Sequence, residues 1–423
     1  MTMNPATSGS KASPASPSLV ETAAARRSSL TAAVFLMATS AIGPGFITQT
    51  ASFTATMGAA FAFGILASVL IDFVVQLNIW RIVAVTRMRA SDIANAAIPG
   101  AGYFLAVLVI FGGLIFNIGN IAGSGLGLNA LVGLDPKVGG ALSALIAIGI
   151  FSSKRAGMAV DRIIIVLGIL MIALTLFVAI TSNPPVGEAL RQTVWPDQIN
   201  FATITTIVGG TVGGYITYAG AHRLLDKGTV GVENLGPVTR AALTGIAVTG
   251  VMRFVLFLAV LGVVAGGVTL DLSGQAANPA AQAFYAATGE LGLRLFGVVL
   301  WAAAITSVIG AAYTSVTFFN TFNPKLTERG RAWSTVVFIA VSLLAYIAIG
   351  TAPAALLIFV GGFNGLILPI GLTIFIYAAW ARPDLMPGYR HPLWLTVLGV
   401  LTCALTWWMG YKSIGPIFAF LSM

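Results

Sequence analysis

The chain has 423 residues, of which 57% are hydrophobic and 8% charged, with a mean hydropathy of +0.95 and a formal charge of +9. Soluble domains carry about 25% charged residues, so this composition excludes a soluble protein and points to a polytopic α-helical membrane protein. One cysteine, Cys403, and two histidines, His222 and His391, exclude an internal disulfide and any Cys or His metal cluster.

Residues 1–28 are rich in Ser, Pro and Ala, end in Arg26-Arg27, and read as a disordered cytoplasmic tail. A cleaved signal peptide is not expected, because the apolar run starts late and further spans follow. At about 20 apolar residues per crossing, eleven spans follow within one transmembrane domain, 29–423. They lie at 30–57, 61–86, 102–132, 138–153, 160–182, 201–226, 238–266, 294–320, 333–350, 353–380 and 393–412. Residues 279–290 read as a short amphipathic helix at the surface.

Seventeen of the 22 Lys and Arg residues fall on the side of the N-terminus, four on the other side, and Arg253 inside a span. That asymmetry predicts a plasma (inner) membrane protein with its N-terminus in the cytoplasm and its C-terminus outside. The basic residues are scattered through short loops, so the net charge implies a lipid bilayer as partner and no nucleic acid.

Two spans are expected to be broken. In span 6, Ile207 to Tyr218 places Gly209, Gly210, Gly213 and Gly214 within six positions. Each glycine costs about 1 kcal/mol of helix propensity relative to Ala. Irregular backbone at membrane depth persists only where it is buried in protein or lines a cavity. Span 1 carries Gly43-Pro-Gly-Phe-Ile-Thr-Gln-Thr-Ala-Ser-Phe-Thr54, with the break expected near 48–52. Spans 1 and 6 run in opposite directions. This is the pattern of two inverted five-helix repeats, about 30–182 and 201–380, plus an extra helix at 393–412. Span 2 then pairs with 7, and span 3 with 8.

The candidate substrate site lies where the two breaks cross. Its expected lining is Thr48, Gln49, Thr50, Ser52 and Thr54 from span 1, with Gly209, Gly210, Thr211, Gly213, Gly214 and Tyr215 from span 6. Free N–H groups at the restarted helices, near Phe53 and Tyr215, suit a carboxylate. The bland alternatives are that the glycines only allow close helix packing, that the hydroxyls bond their own backbone, and that Tyr215 is a packing residue. On the site reading, Gly213→Val or Gly214→Val abolishes transport with folding largely preserved. Asn117 and Asn120 share a face of span 3 and bridge helices or serve transport; Asn364 in span 10 has the same status. His222 reads as an interfacial residue rather than a proton carrier. Asp72 and Arg253, near mid-depth of spans 2 and 7, are expected to form an intramembrane ion pair, structural rather than substrate-binding; the alternative frees Arg253 to attract an anionic substrate or lets Asp72 carry the coupling proton.

Gly43-Pro-Gly-Phe, Gly123-Ser-Gly-Leu-Gly-Leu-Asn129, the Gly-Thr-Val of span 6 and Leu366-Ile-Leu-Pro-Ile370, in this order and spacing, resemble the NRAMP (natural resistance-associated macrophage protein) family over about residues 35–412. The resemblance implies an all-α LeuT-type fold and a secondary active transporter working by alternating access, not an enzyme. Metal transporters of the family carry Asp-Pro-Gly-Asn at the span 1 break and Met-Pro-His at the span 6 break. Here the first tetrad is missing and the second position reads Gly213-Gly214-Tyr215, while an acidic pair tied to proton movement lines up with Asn117 and Asn120. A divalent ion needs anionic or strong neutral donors, so the substitutions imply no metal site. The pattern looks like relatives encoded beside 5-oxoprolinase subunits, which implies 5-oxoproline or another small organic acid or amino-acid derivative, moved with H⁺ or Na⁺. The alternative keeps the substrate of the parent family, a divalent cation such as Mn²⁺, Fe²⁺ or Mg²⁺. No cofactor is implied.

Overall fold

The computed structural model describes residues 42–419 apart from Ser153, Lys227, Gln275 and Thr351, and leaves aside the side chains of residues 154–165. The expected tail at 1–28 and the first half of span 1 lie outside the described residues. Among the described residues the secondary structure is entirely helical. Helix α1 (Pro44–Met57) passes through a short 3₁₀ turn into α2 (Phe61–Thr86), followed by α3 (Ala90–Ala97), α4 (Ala101–Val132), α5 (Pro136–Ser152), α6 (Lys154–Thr181) and α7 (Val186–Val194). The second half holds α8 (Phe201–Gly209), α9 (Ile216–Asp226), α10 (Leu235–Ala265), α11 (Pro279–Val316), α12 (Glu328–Ile349), α13 (Pro353–Ala381) and α14 (Leu393–Ala419).

Among the described residues, seven helical stretches are long and apolar enough to cross a membrane, or eight if α6 and α7, bent by 106°, count as one. The expected spans that fall short of that measure do so for visible reasons. Span 4 is the 17-residue α5, span 6 is divided into α8 and α9, and span 1 is described only from its second half.

The most extensive helix interface joins α4 to α11, and that of α2 with α10 is among the next. These are spans 3 with 8 and 2 with 7, the equivalent members of the two repeats. Glycines set the first interface. A Cβ on Gly123 would stand 2.2 Å from the Pro44 ring, one on Gly125 2.0 Å from the Pro136 carbonyl, and one on Gly127 2.6 Å from the Trp301 backbone nitrogen. Three glycines in five residues therefore admit three different helices, which is the close approach that small residues allow in membranes.

Two short helices were not anticipated by span counting. α3 buries Ala90, Ser91, Ile93, Ala94 and Ala97, and α7 buries Ala189 and Gln192. The segment 279–290 differs from the expected surface helix. It is the first part of α11, interrupted at Gly289 (φ 69°, ψ −161°), and Ala280, Ala281, Ala283 and Phe284 are buried, with Phe284 stacked on Phe296 at 4.6 Å. Its small, Ala-rich face packs into the bundle, while Tyr285 stays exposed.

The helix ends near Arg81 and Arg89 are tied together by polar contacts. The ring of His222 on α9 accepts the Ala90 N–H at Nε2 (3.2 Å), so its proton sits on Nδ1 and points to Thr317 Oγ1 at 3.0 Å. The ring also stacks on Phe318 at 4.4 Å. Nearby, Arg81 donates to the Tyr389 hydroxyl (3.0 Å), and the His391 ring lies between that hydroxyl and the Asn78 side-chain oxygen. Burial, with the Arg81 charge as a second cause, pushes His391 down to about 4, so it stays neutral in this chain of hydrogen bonds.

Candidate functional site at the two helix breaks

The break in span 6 lies where the glycines are. α8 ends at Gly209, and the Val208 carbonyl then accepts the N–H groups of Thr211 (3.1 Å), Val212 (3.0 Å) and Gly213 (2.9 Å) before the chain restarts at Ile216. Gly214 takes the left-handed φ of +55° that Cβ sterics disfavour. The turn nests directly against α13. A Cβ on Gly209 would stand 1.9 Å from the Gly361 carbonyl, and one on Gly214 1.9 Å from the Asn364 side-chain oxygen. The close-packing alternative therefore applies to these glycines as well. The expectation that Val at Gly213 or Gly214 leaves folding intact is corrected, because both side chains would meet backbone or buried amide rather than open space.

The break in span 1 is not where the polar residues cluster. α1 runs without interruption through Thr48–Ser52, and the non-helical step is at Gly43, with Pro44 as the first helical residue. Proline suits that position because its missing N–H has no intrahelical partner there anyway. The described helix of span 1 thus begins at Pro44, and no helix starts near Phe53. Thr50 and Thr54 donate to the carbonyls of Phe46 (2.7 Å) and Thr50 (2.6 Å), one turn back in their own helix. Ser52 is buried in the same helix. Two members of the cluster keep free polar atoms. Thr48 Oγ1 has no partner, and Gln49 donates to the Leu357 carbonyl (3.0 Å) while its Oε1 stays unpartnered against Gly210. Gln49 therefore joins both breaks to α13.

Asn364 belongs to the same junction. Its amide donates to the carbonyls of Gly112 (3.2 Å) and Val360 (3.0 Å), and its oxygen is unpartnered beside Gly214. Asn117 instead donates to Ser342 Oγ on α12 (3.2 Å), a bridge between helices, and Asn120 retains an unpartnered amide nitrogen one turn before Gly123. Tyr215 is buried edge-on against Phe116, with centroids 5.1 Å apart, as a packing residue would be.

Asp72 and Arg253 are both buried (3% and 2% exposed) and both face span 6, but they do not form the direct ion pair expected of them. Asp72 Oδ2 accepts from Thr211 Oγ1 at 2.7 Å, while Arg253 Nη1 reaches the Ile207 carbonyl at 3.4 Å. Ile207 lies in the last turn of α8 and Thr211 in the turn that follows, so both charges contact the chain where span 6 breaks. Thr211 has a single hydroxyl proton, and a charged acceptor makes the shorter and stronger bond. The carboxylate is diverted by that hydroxyl. Asp72 Oδ1 and Arg253 Nε and Nη2 are left without partners, and the guanidinium lies over the Phe46 ring, 4.2 Å from its centroid.

Phe46 and Gly43 are the site residues that sequence reasoning missed. The signal for them was Pro44, a helix-start residue that marks the break more reliably than a run of hydroxyls.

A model of the natural resistance-associated macrophage protein-like family matches residues 34–415. The chain is 53% identical to the uncharacterized membrane protein YcsG of Bacillus subtilis over 385 residues, covering 91% of this chain and 94% of the relative. It is 51% identical to an uncharacterized membrane protein of Haemophilus influenzae over 374 residues, covering 88% and 92%. Among solved structures, mutants of the Eremococcus coleocola manganese transporter superpose with a TM-score of 0.74 at 15% identity, over 96% of this chain and 89% of theirs. MhsT in complex with L-phenylalanine superposes with a TM-score of 0.61 at 16% identity, over 92% and 98%. With span 6 broken at its glycines, and with α4 packed on α11 and α2 on α10, the chain belongs to the natural resistance-associated macrophage protein-like (Nramp) family of membrane transporters and has the LeuT-type fold.

Proposed function

We propose that this transporter moves a small organic acid or amino-acid derivative, 5-oxoproline-like, by alternating access coupled to H⁺ or Na⁺. We place it in the plasma membrane with its N-terminus in the cytoplasm and its C-terminus outside. The observation that carries this reading is Arg253, a buried cation with unused donors beside both breaks. A fixed guanidinium at such a site repels a divalent cation and attracts an anion, and the interaction strengthens as water is excluded.

The donors present support the same reading. Gly43-Pro44-Gly45-Phe46 stands at the start of α1 and offers no anionic side chain. The fold itself does not choose, since it is shared by a manganese transporter and by a protein holding L-phenylalanine.

The second reading, a divalent metal, is favoured by the manganese transporters among the structural neighbours. Uptake into proteoliposomes separates the two. Labelled 5-oxoproline is expected to accumulate under an imposed H⁺ or Na⁺ gradient, and Mn²⁺ is expected to stay at the level of empty liposomes. Saturable Mn²⁺ uptake with no organic-acid uptake would replace the first reading by the second.

A further inference from the structure

We propose that the Nε/Nη2 edge of Arg253 is the docking point for the carboxylate of the transported substrate, an inference that rests on the organic-acid reading above. A guanidinium carries five N–H donors in one plane. Here Nη1 is turned to the Ile207 carbonyl at 3.4 Å, while Nε and Nη2 have no partner in a side chain only 2% exposed. The Nε–H and the neighbouring Nη2–H point the same way. Together they form the fork that receives both oxygens of a carboxylate.

Three features hold this edge in place without satisfying its donors. The flat face of the guanidinium rests on Phe46, three residues after Gly43, so the ring fixes the plane of the fork. Thr211 holds Asp72 through Oδ2, and the carboxylate does not close on the fork. Thr211 is thus a positioning residue. Finally, Arg253 reaches the Ile207 carbonyl in the last turn of α8, and Asp72 accepts from the Thr211 hydroxyl in the turn that follows. A carboxylate seated on Arg253 would touch span 1 through Phe46 and span 6 through Ile207 at once.

The test uses full-length protein, with wild type compared against Arg253→Lys and the doubly neutral Asp72→Asn/Arg253→Gln. The lysine keeps a positive charge opposite Asp72 but lacks the fork, and the double variant strands no buried charge. The probes are 5-oxoproline, its carboxamide, two further small monocarboxylates (proline and lactate) and inorganic phosphate, read by thermal shift and by uptake. Wild type is expected to be stabilised by 5-oxoproline and not by the carboxamide or phosphate. Arg253→Lys should raise KM at least tenfold with Vmax changed less than threefold, and the double variant should fold but show no carboxylate-induced shift. A residue that only supports the fold would alter Vmax and Tm without changing the preference of acid over amide. If wild type transports 5-oxoproline and both variants keep its KM, the docking inference fails while the organic-acid reading stands. If no carboxylate stabilises or enters wild type, the reading and the inference fall together.

Discussion

Gly214→Ala is expected to leave almost no folded transporter in the membrane. Two independent costs meet at this position. The left-handed φ of +55° is a conformation that a side chain occupies at a cost of about 1–3 kcal/mol. The new Cβ would also stand 1.9 Å from the Asn364 side-chain oxygen and 2.7 Å from its Cγ. Overpacking of this kind typically costs about 1–3 kcal/mol, and Asn364 cannot yield easily because its amide holds the Gly112 and Val360 carbonyls. The sum is comparable with much of a typical domain's stability of about 5–15 kcal/mol. Gly133→Ala is the control for left-handed backbone strain alone, since Gly133 has φ +74° and ψ +15° with nothing within 4 Å of its Cβ. Gly213→Ala is the control for the clash alone, 2.4 Å from the Gly209 Cα without a positive φ. Monodisperse yield in detergent should fall in the order wild type, Gly133→Ala, Gly213→Ala, Gly214→Ala. A Gly214→Ala protein with wild-type yield and Tm would show that the turn does not need this backbone.

Arg253→Ala should be the second severe variant. Removing one member of a buried charge couple typically costs about 3–5 kcal/mol, because the other charge is stranded. Here the stranded group would be Asp72, 3% exposed and held by one hydroxyl. Asp72→Asn/Arg253→Gln removes both charges together and is expected to recover most of the lost expression and Tm. Because the charges are not in direct contact, the coupling in a double-mutant cycle should be smaller than for a bidentate pair, and Thr211→Val should alter it. Strictly additive single-variant effects would mean that the two charges do not sense each other.

How much of this was legible in the sequence depended on which force left a mark in residue types. Span positions were readable because lipid demands long apolar helices. The span 6 break was readable because its contacts with Gly361, Gly365 and Asn364 leave room for glycine alone. The span 1 break was misplaced because Thr50 and Thr54 advertise polarity yet spend it on their own helix, whereas the actual break is marked only by Gly43-Pro44. Placing Asp72 and Arg253 in one neighbourhood followed from pairing spans 2 and 7. Their separation did not, since it depends on a 2.7 Å hydrogen bond from Thr211, a residue that had been assigned to the glycine-rich turn for other reasons. The short α3 was invisible to span counting, although Ile93, Ala94 and Ala97 already gave one apolar face.

The most direct measurement of the central claim is an experimental structure of the protein prepared with 5-oxoproline, paired with one prepared with Mn²⁺. The account predicts a planar carboxylate on the Nε/Nη2 edge of Arg253 above Phe46, between the start of α1 and the glycine turn after α8, and no Mn²⁺ anomalous signal there. A manganese ion bound between the two breaks, or an organic acid seated away from Arg253, would contradict it.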